Sequence, residues 1–190
     1  MATISSDSQL QARTLARRIV SALFEVAGAK KEGADRDTYL MGLLGPPEGA
    51  RMTPEQAEQV ARLVNEQNKL SVPYTPEKAM GGYYLLETDQ KGAVIACAEV
   101  KEVQWYQAEV CHVSVDANHK RQGLGAKLVT RAESRANELG ARLLQCTIRQ
   151  GNKESEGLFT KLGFSPGAAF HNARTKSNVT IWTKVLKHPK

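Results

Sequence analysis

Between Ala108 and Gly140 the hydrophobic rhythm of the chain changes once, across a pair of glycines. "AEVCHVSV" alternates as a strand does and ends at Val115. A polar turn follows, and "HKRQGLGAKLV" opens a run with helical spacing that stops at Gly140, a C-cap glycine. A strand that feeds a helix through such a short glycine turn must lay that helix back on its own sheet, which points to α/β organisation. The first N–H groups of a helix lack internal partners and sit at the positive end of its dipole. Glycines remove the Cβ atoms that would keep an anion away from them. Two readings follow. Gln122, Gly123, Leu124, Gly125 and Ala126 form a phosphate cradle, with Lys120, Arg121 and Lys127 adding charge; or the glycines only let helix and strand pack closely. The stretch lacks the third glycine of a dinucleotide fingerprint and the Lys-Ser/Thr ending of a Walker A loop.

The elements around it narrow the fold. "YYLLETD", "AVIACAEVKEV" and "AEVCHVSV" read as three successive antiparallel strands from Gly82, the first two separated by a "QKG" turn. After the glycine helix, "ARLLQCTI" reads as a buried strand. Asn152 to Leu162 is a helix closed by Gly163, and "SNVTIWTKVL" is a final strand. Upstream, Thr53-Pro54-Glu55-Gln56 combines an N-cap hydroxyl, Pro at the first helical position and Gln at the third. Residues 8–27 place Leu15, Ile19, Leu23 and Val26 on one helical face, and "DTYLMGLLGPPEG" allows a further short helix. "LSVPYTPEKAMGG" reads as a loop. The class is α/β (α+β): a mixed, mostly antiparallel sheet flanked by helices.

Composition excludes several functions. At 190 residues the chain suits one domain with a full core. No apolar run approaches the roughly 18 residues of a membrane span, and "MATISSDSQL" lacks a secretory pattern. Cys97, Cys111 and Cys146 lie in apolar strand-like runs without metal-ligand spacing, so they read as reduced core residues of a cytoplasmic protein, and no metal is expected. The net charge of +6 invites a nucleic-acid partner, but no aromatic-rich basic stripe accompanies it.

Together, "CHVSVDANHKRQGLGAKLV" and "NKESEGLFTKLGF" resemble the GNAT superfamily of acyl-CoA-dependent N-acetyltransferases. The first carries the family's Gln/Arg-x-x-Gly-x-Gly/Ala motif, with Lys120 in the leading position. The second carries its Asn, small residue, Tyr and Gly-Phe as Asn152, Ser155, Phe159 and Gly163-Phe164. The resemblance implies an acyltransferase domain over residues 53–187, preceded by an N-terminal helical extension over 1–52. That extension would serve as a packing cap, a homodimer contact or a substrate gate, and "GARM" before Thr53 is the only remnant of a first strand. The resemblance also implies acetyl-CoA as donor and an amine acceptor, small molecule or protein, with no metal and no membrane.

Within it, the Gln122–Ala126 amides would hold the CoA pyrophosphate, beside Lys120 and Arg121. The backbone of Val113 and Val115 would bind the thioester carbonyl and pantetheine, and Asn152, Ser155 and Phe159 would line the pantetheine side. Phe159 departs from the family's Tyr, which is thought to protonate the leaving thiolate; a Phe has no proton to give. The acceptor amine needs a base, because an alkylammonium has no lone pair. Glu109 is the leading candidate, the other reading being an ordinary exposed residue on the solvent face of the sheet. Strict alternation puts Glu109, Cys111, Val113 and Val115 on one face of their strand and turns His112 to the other. His112 then reads as structural, and His119 as a solvated loop residue. Tyr74, Glu77 and Met80 fall where the family builds its acceptor wall.

Overall fold

The computed structural model describes residues 52–68, 70–173 and 175–187. The helices expected within 1–51, and all of "GARM" before Met52, lie outside these residues. Helix α1 (Pro54–Gln67) starts as the sequence predicts. Thr53 Oγ1 accepts from the Gln56 amide, and the Gln56 side chain accepts from the Thr53 amide, a complete capping box. A short helix α2 (Pro76–Gly81), capped by Thr75, stands where the sequence reads as loop.

Three strands then run as an antiparallel meander: β1 (Tyr83–Thr88), β2 (Val94–Gln104) and β3 (Gln107–Val115). A single 3-10 turn (Ala117–His119) precedes helix α3 (Leu124–Glu138). Strand β4 (Leu143–Arg149), helix α4 (Lys153–Lys161), and strands β5 (Ser165–Asn172) and β6 (Ser177–Val185) complete the order. The sheet runs β1-β2-β3-β4-β6-β5, and only the β3–β4 pair is parallel. This is the expected mixed, mostly antiparallel sheet. β5 is an addition to the reading from sequence: every residue but the last is exposed, so it carries no alternation to find.

The sheet is covered on both faces. On one, Leu128, Val129, Ala132 and Ala136 of α3 pack on Ala98, Val100, Val110, Leu144 and Ile148, with Phe159 and Phe164 joining that layer. On the other, Val60, Leu63 and Val64 of α1 pack with Ala79, Tyr84, Val94 and Cys97. Strand β2 lies between the layers, which explains its nearly continuous apolar run. No described helix is long and apolar enough to cross a membrane. All three cysteines are free; Cys97 and Cys146 are buried and Cys111 half-buried.

An ion-pair cluster ties α3 to β1. Lys127 Nζ donates to Glu87 Oε2 at 2.7 Å, and Arg131 Nη1 donates to Glu87 Oε1 at 2.8 Å and to the Leu86 carbonyl at 3.0 Å. Burial alone would raise the Glu87 pKa, but the hydrogen bonds from Lys127 and Arg131 outweigh it and hold the carboxyl below its ordinary range. A carboxyl depressed in the folded state stabilises the fold above its unfolded pKa, about 4.3, and loses that contribution as pH falls through the folded value. Urea midpoints measured from pH 7 downward are therefore expected to fall less steeply below about pH 4.3 for Glu87→Gln than for the wild type.

Candidate active site

Parallel pairing between β3 and β4 covers three residue pairs: Gln107 with Leu143, Ala108 with Leu144, and Glu109 with Gln145. Both strands continue past that point, β3 to Val115 and β4 to Arg149, without ladder partners between them. The sheet therefore splits from Glu109 onward. A split of this kind leaves main-chain hydrogen-bonding groups beside a gap, where an extended ligand can take the place of a strand.

The split strand also carries a bulge. Glu99 pairs with Cys111 but Cys97 pairs with Ser114, so His112 and Val113 together stand opposite Ala98 alone. His112 takes φ 53°, a left-handed conformation costing about 1–2 kcal/mol for a residue with a Cβ. The extra residue resets the alternation, which corrects the expectation from strict period two. Val113 and Val115 pack with the α3 layer, opposite Glu109 and Cys111. His112 turns instead toward Glu99 and Tyr74, on the face that α1 and α2 cover.

That face gathers the titratable groups. The half-buried Glu109 is the cross-strand partner of Lys101, and its Oε1 accepts from Thr147 Oγ1 of β4 at 3.4 Å. Burial raises the Glu109 pKa, against the pull of Lys101 and Thr147. Glu99, read from sequence only as part of β2, is 5% exposed. Its Oε2 lies 3.4 Å from Cys111 Sγ, 3.4 Å from Lys101 Nζ and 3.7 Å from His112 Nε2. Burial lowers the His112 pKa and favours the neutral ring. Tyr74 packs at a tilt against His112, 4.8 Å between ring centroids, and Tyr84 Oη donates to Tyr74 Oη at 2.9 Å. Asn68 Nδ2 donates to Ser114 Oγ at 2.9 Å, joining the end of α1 to β3. The signal for Glu99 was present in the sequence: one carboxylate inside the apolar run "AVIACAEV".

The glycine turn separates its two glycines by role. Gly123 is the N-cap of α3 at φ 80°, with open space where a Cβ would stand, and no side chain caps the helix. The first-turn amides after it are therefore available to an anion. Gly125 serves packing, since a Cβ there would lie 3.3 Å from Leu158 of α4. The charges around the turn are partly committed. Lys127 and Arg131 bind Glu87, and Lys120 Nζ lies 3.8 Å from Glu154. Arg121 also sits in the left-handed region, at φ 61°. His119, expected to be a solvated loop residue, lies in the turn with its side chain 33% exposed and Nδ1 3.1 Å from Asp116. Asn152 caps α4, accepting from the Ser155 amide at 3.2 Å. Phe159 is buried, edge-on to Phe164 at 4.9 Å.

Residues 53–164, more than half of the chain, match the model of the acetyltransferase (GNAT) family. Among solved structures, Ard1 from Thermoplasma volcanium is 18% identical with a TM-score of 0.64, covering 73% of this chain and 96% of its own. The Salmonella typhimurium protein yncA, solved with its cofactor acetyl-CoA, is 18% identical with a TM-score of 0.62, covering 73% and 93%. The ribosomal-protein-S18-alanine N-acetyltransferase from Escherichia coli is 18% identical with a TM-score of 0.59, covering 74% and 94%. At these identities the likeness is one of fold. No curated protein matches the sequence significantly.

The buried Glu99 depends on a missing side chain. A Cβ on Gly82 would come within 2.6 Å of Glu99 Oε1 and 3.0 Å of the Tyr84 ring, whereas one on Gly81 would meet nothing within 4 Å. Gly82→Ala is expected to cost about 1–3 kcal/mol by urea denaturation. Gly81→Ala should stay within about 0.5 kcal/mol of the wild type.

Proposed function

The chain belongs to the acetyltransferase (GNAT) family, and from that premise we propose that it transfers an acetyl group from acetyl-CoA to an amine. The observation that carries this reading is the β3–β4 split, which opens one residue past Glu109, next to a helix start that no side chain caps. We take the acyltransferase domain as residues 53–187, preceded by an extension over residues 1–52. The acceptor is an amine on a small molecule or a protein; the Escherichia coli neighbour is named for the second kind.

In this reading acetyl-CoA supplies the activated acyl carbonyl, and the protein positions it and manages one proton. The Gln122–Ala126 backbone holds the pyrophosphate, with the open space at Gly123 supporting the fit. Lys120 and Arg121 add positive charge nearby. The backbone of Val113 and Val115, past the last ladder pair, hydrogen-bonds along the pantetheine and the carbonyl. Asn152 and Ser155, at the start of α4, and Phe159 line the pantetheine side in this reading. Glu109 takes the proton from the acceptor ammonium; its burial favours an uncharged product carboxyl, which suits a proton acceptor. Phe159 has no proton to return, so the departing thiolate draws one from water; a thiol of pKa about 8.5 is a tolerable leaving group.

The alternative is a CoA-binding protein without catalysis, and the buried Phe159 in the Tyr position favours it. Release of free thiol from acetyl-CoA, measured against a panel of amines and peptides, separates the two. The enzyme reading expects turnover with at least one acceptor, lowered about 10²–10⁴-fold in Glu109→Gln with CoA affinity unchanged. Binding of acetyl-CoA without transfer to any acceptor would establish the alternative. Equal turnover in Glu109→Gln would remove Glu109 from the base role.

A further inference from the structure

Glu99, Cys111 and His112 bring three kinds of metal donor to one point. The carboxylate oxygen, thiol sulfur and imidazole nitrogen all lie within 4.8 Å of one another. Two of the separations are 3.4 Å (Cys111 Sγ to Glu99 Oε2) and 3.7 Å (His112 Nε2 to Glu99 Oε2). Those two spacings are close to the edges of a tetrahedron whose bonds are about 2.0–2.3 Å, the lengths of Zn–O, Zn–N and Zn–S bonds; the thiol and the imidazole, within 4.8 Å of each other, draw together by side-chain rotation as the ion enters. We propose that these three side chains bind one Zn²⁺ ion, with the fourth position open to water or an incoming ligand.

Two features of the backbone assemble the set. Glu99 and Cys111 are direct cross-strand partners, so their side chains share a face. Cys111 and His112 are consecutive and in a regular strand would point to opposite faces; the bulge, with His112 at φ 53°, turns both the same way. The strained conformation thus has a consequence that regular pairing could not deliver. Two contacts hold the donors in place: the Tyr74 ring packs at a tilt against the His112 ring, and the bare Gly82 leaves room for the Glu99 carboxylate. The His112 side chain is 21% exposed, which leaves the group open to solvent at one side.

Donor chemistry selects the ion. A thiolate with an imidazole suits Zn²⁺ and Co²⁺, and disfavours Mg²⁺ and Ca²⁺, which prefer oxygen ligands. Binding releases the Cys111 proton to solvent, since the thiolate is the ligand. Lys101 opposes it: its ammonium lies 3.4 Å from the same Glu99 oxygen. The Lys101 side chain is 45% exposed, so the ammonium turns outward into water as the ion enters. The site needs nothing from acetyl transfer, although it occupies the same face of the sheet as Glu109.

Titration of the full chain with Co²⁺ under a thiol-free reductant tests this directly. One equivalent is expected to give the sulfur-to-cobalt charge-transfer band of a thiolate ligand and the visible bands of tetrahedral Co²⁺, both abolished by Zn²⁺. Cys111→Ser should lose the charge-transfer band, while Cys97→Ala and Cys146→Ala keep it. Glu99→Gln and His112→Ala should weaken affinity by more than the about 10–100-fold typical of an outer-shell partner. Lys101→Met should tighten it, an effect that fold damage would not produce. No saturable band at one equivalent in the wild type, or a band unchanged in Cys111→Ser, would overturn the proposal.

Discussion

The molecule depends on one strand pair that stops early. β3 and β4 are the only parallel neighbours in the sheet, and they pair over three residues before parting after Glu109. Parallel strands cannot be joined by a hairpin, so the chain must cross over through α3, whose start lies beside the opening. The covalent path that makes the pair parallel is thus also the one that puts an uncapped helix start next to unpaired strand backbone. The apolar layer of α3 against β2, β3 and β4 holds the arrangement, and the Glu87 cluster fixes the same helix to β1.

A second departure from regularity gives the sheet its chemistry. With perfect alternation, His112 would face the α3 layer and Val113 the α1 layer. One extra residue in β3 reverses that, burying the valine with other apolar side chains and gathering His112, Cys111, Glu99, Lys101 and Glu109 on the opposite face. A buried carboxylate needs partners. Glu99 has an ammonium, a thiol and an imidazole within 3.7 Å, and a glycine where a side chain would collide with it. Proton transfer at Glu109 and ion binding at Glu99 are separate proposals that draw on the same bulged strand.

Much of this is legible in the amino-acid sequence. The capping box at Thr53, the three-strand meander, and the glycine stops at Gly140 and Gly163 are local signals, decided by residues a few positions apart. What escaped reading was non-local. The bulge at His112 has no marker in its residue types, because register is set by the partner strand. Glu99 shows only as one acid in an apolar run until its cross-strand partner Cys111 is known. No spacing pattern could mark Glu99, Cys111 and His112 as a ligand set, since two are adjacent and the third is joined to them by pairing. β5 is exposed almost throughout, and the two glycines of the turn look alike until Leu158 is seen against one of them.

The central claim is that the split strand and the uncapped helix start together receive the acyl donor. Backbone amide NMR during titration with acetyl-CoA tests it most directly, because it reports on each N–H without relying on turnover. The account predicts that the largest shifts fall on two separate stretches, Val113–Val115 and Gln122–Ala126, and move together with one dissociation constant. Shifts confined to other surfaces, or to only one of these stretches at saturation, would contradict it.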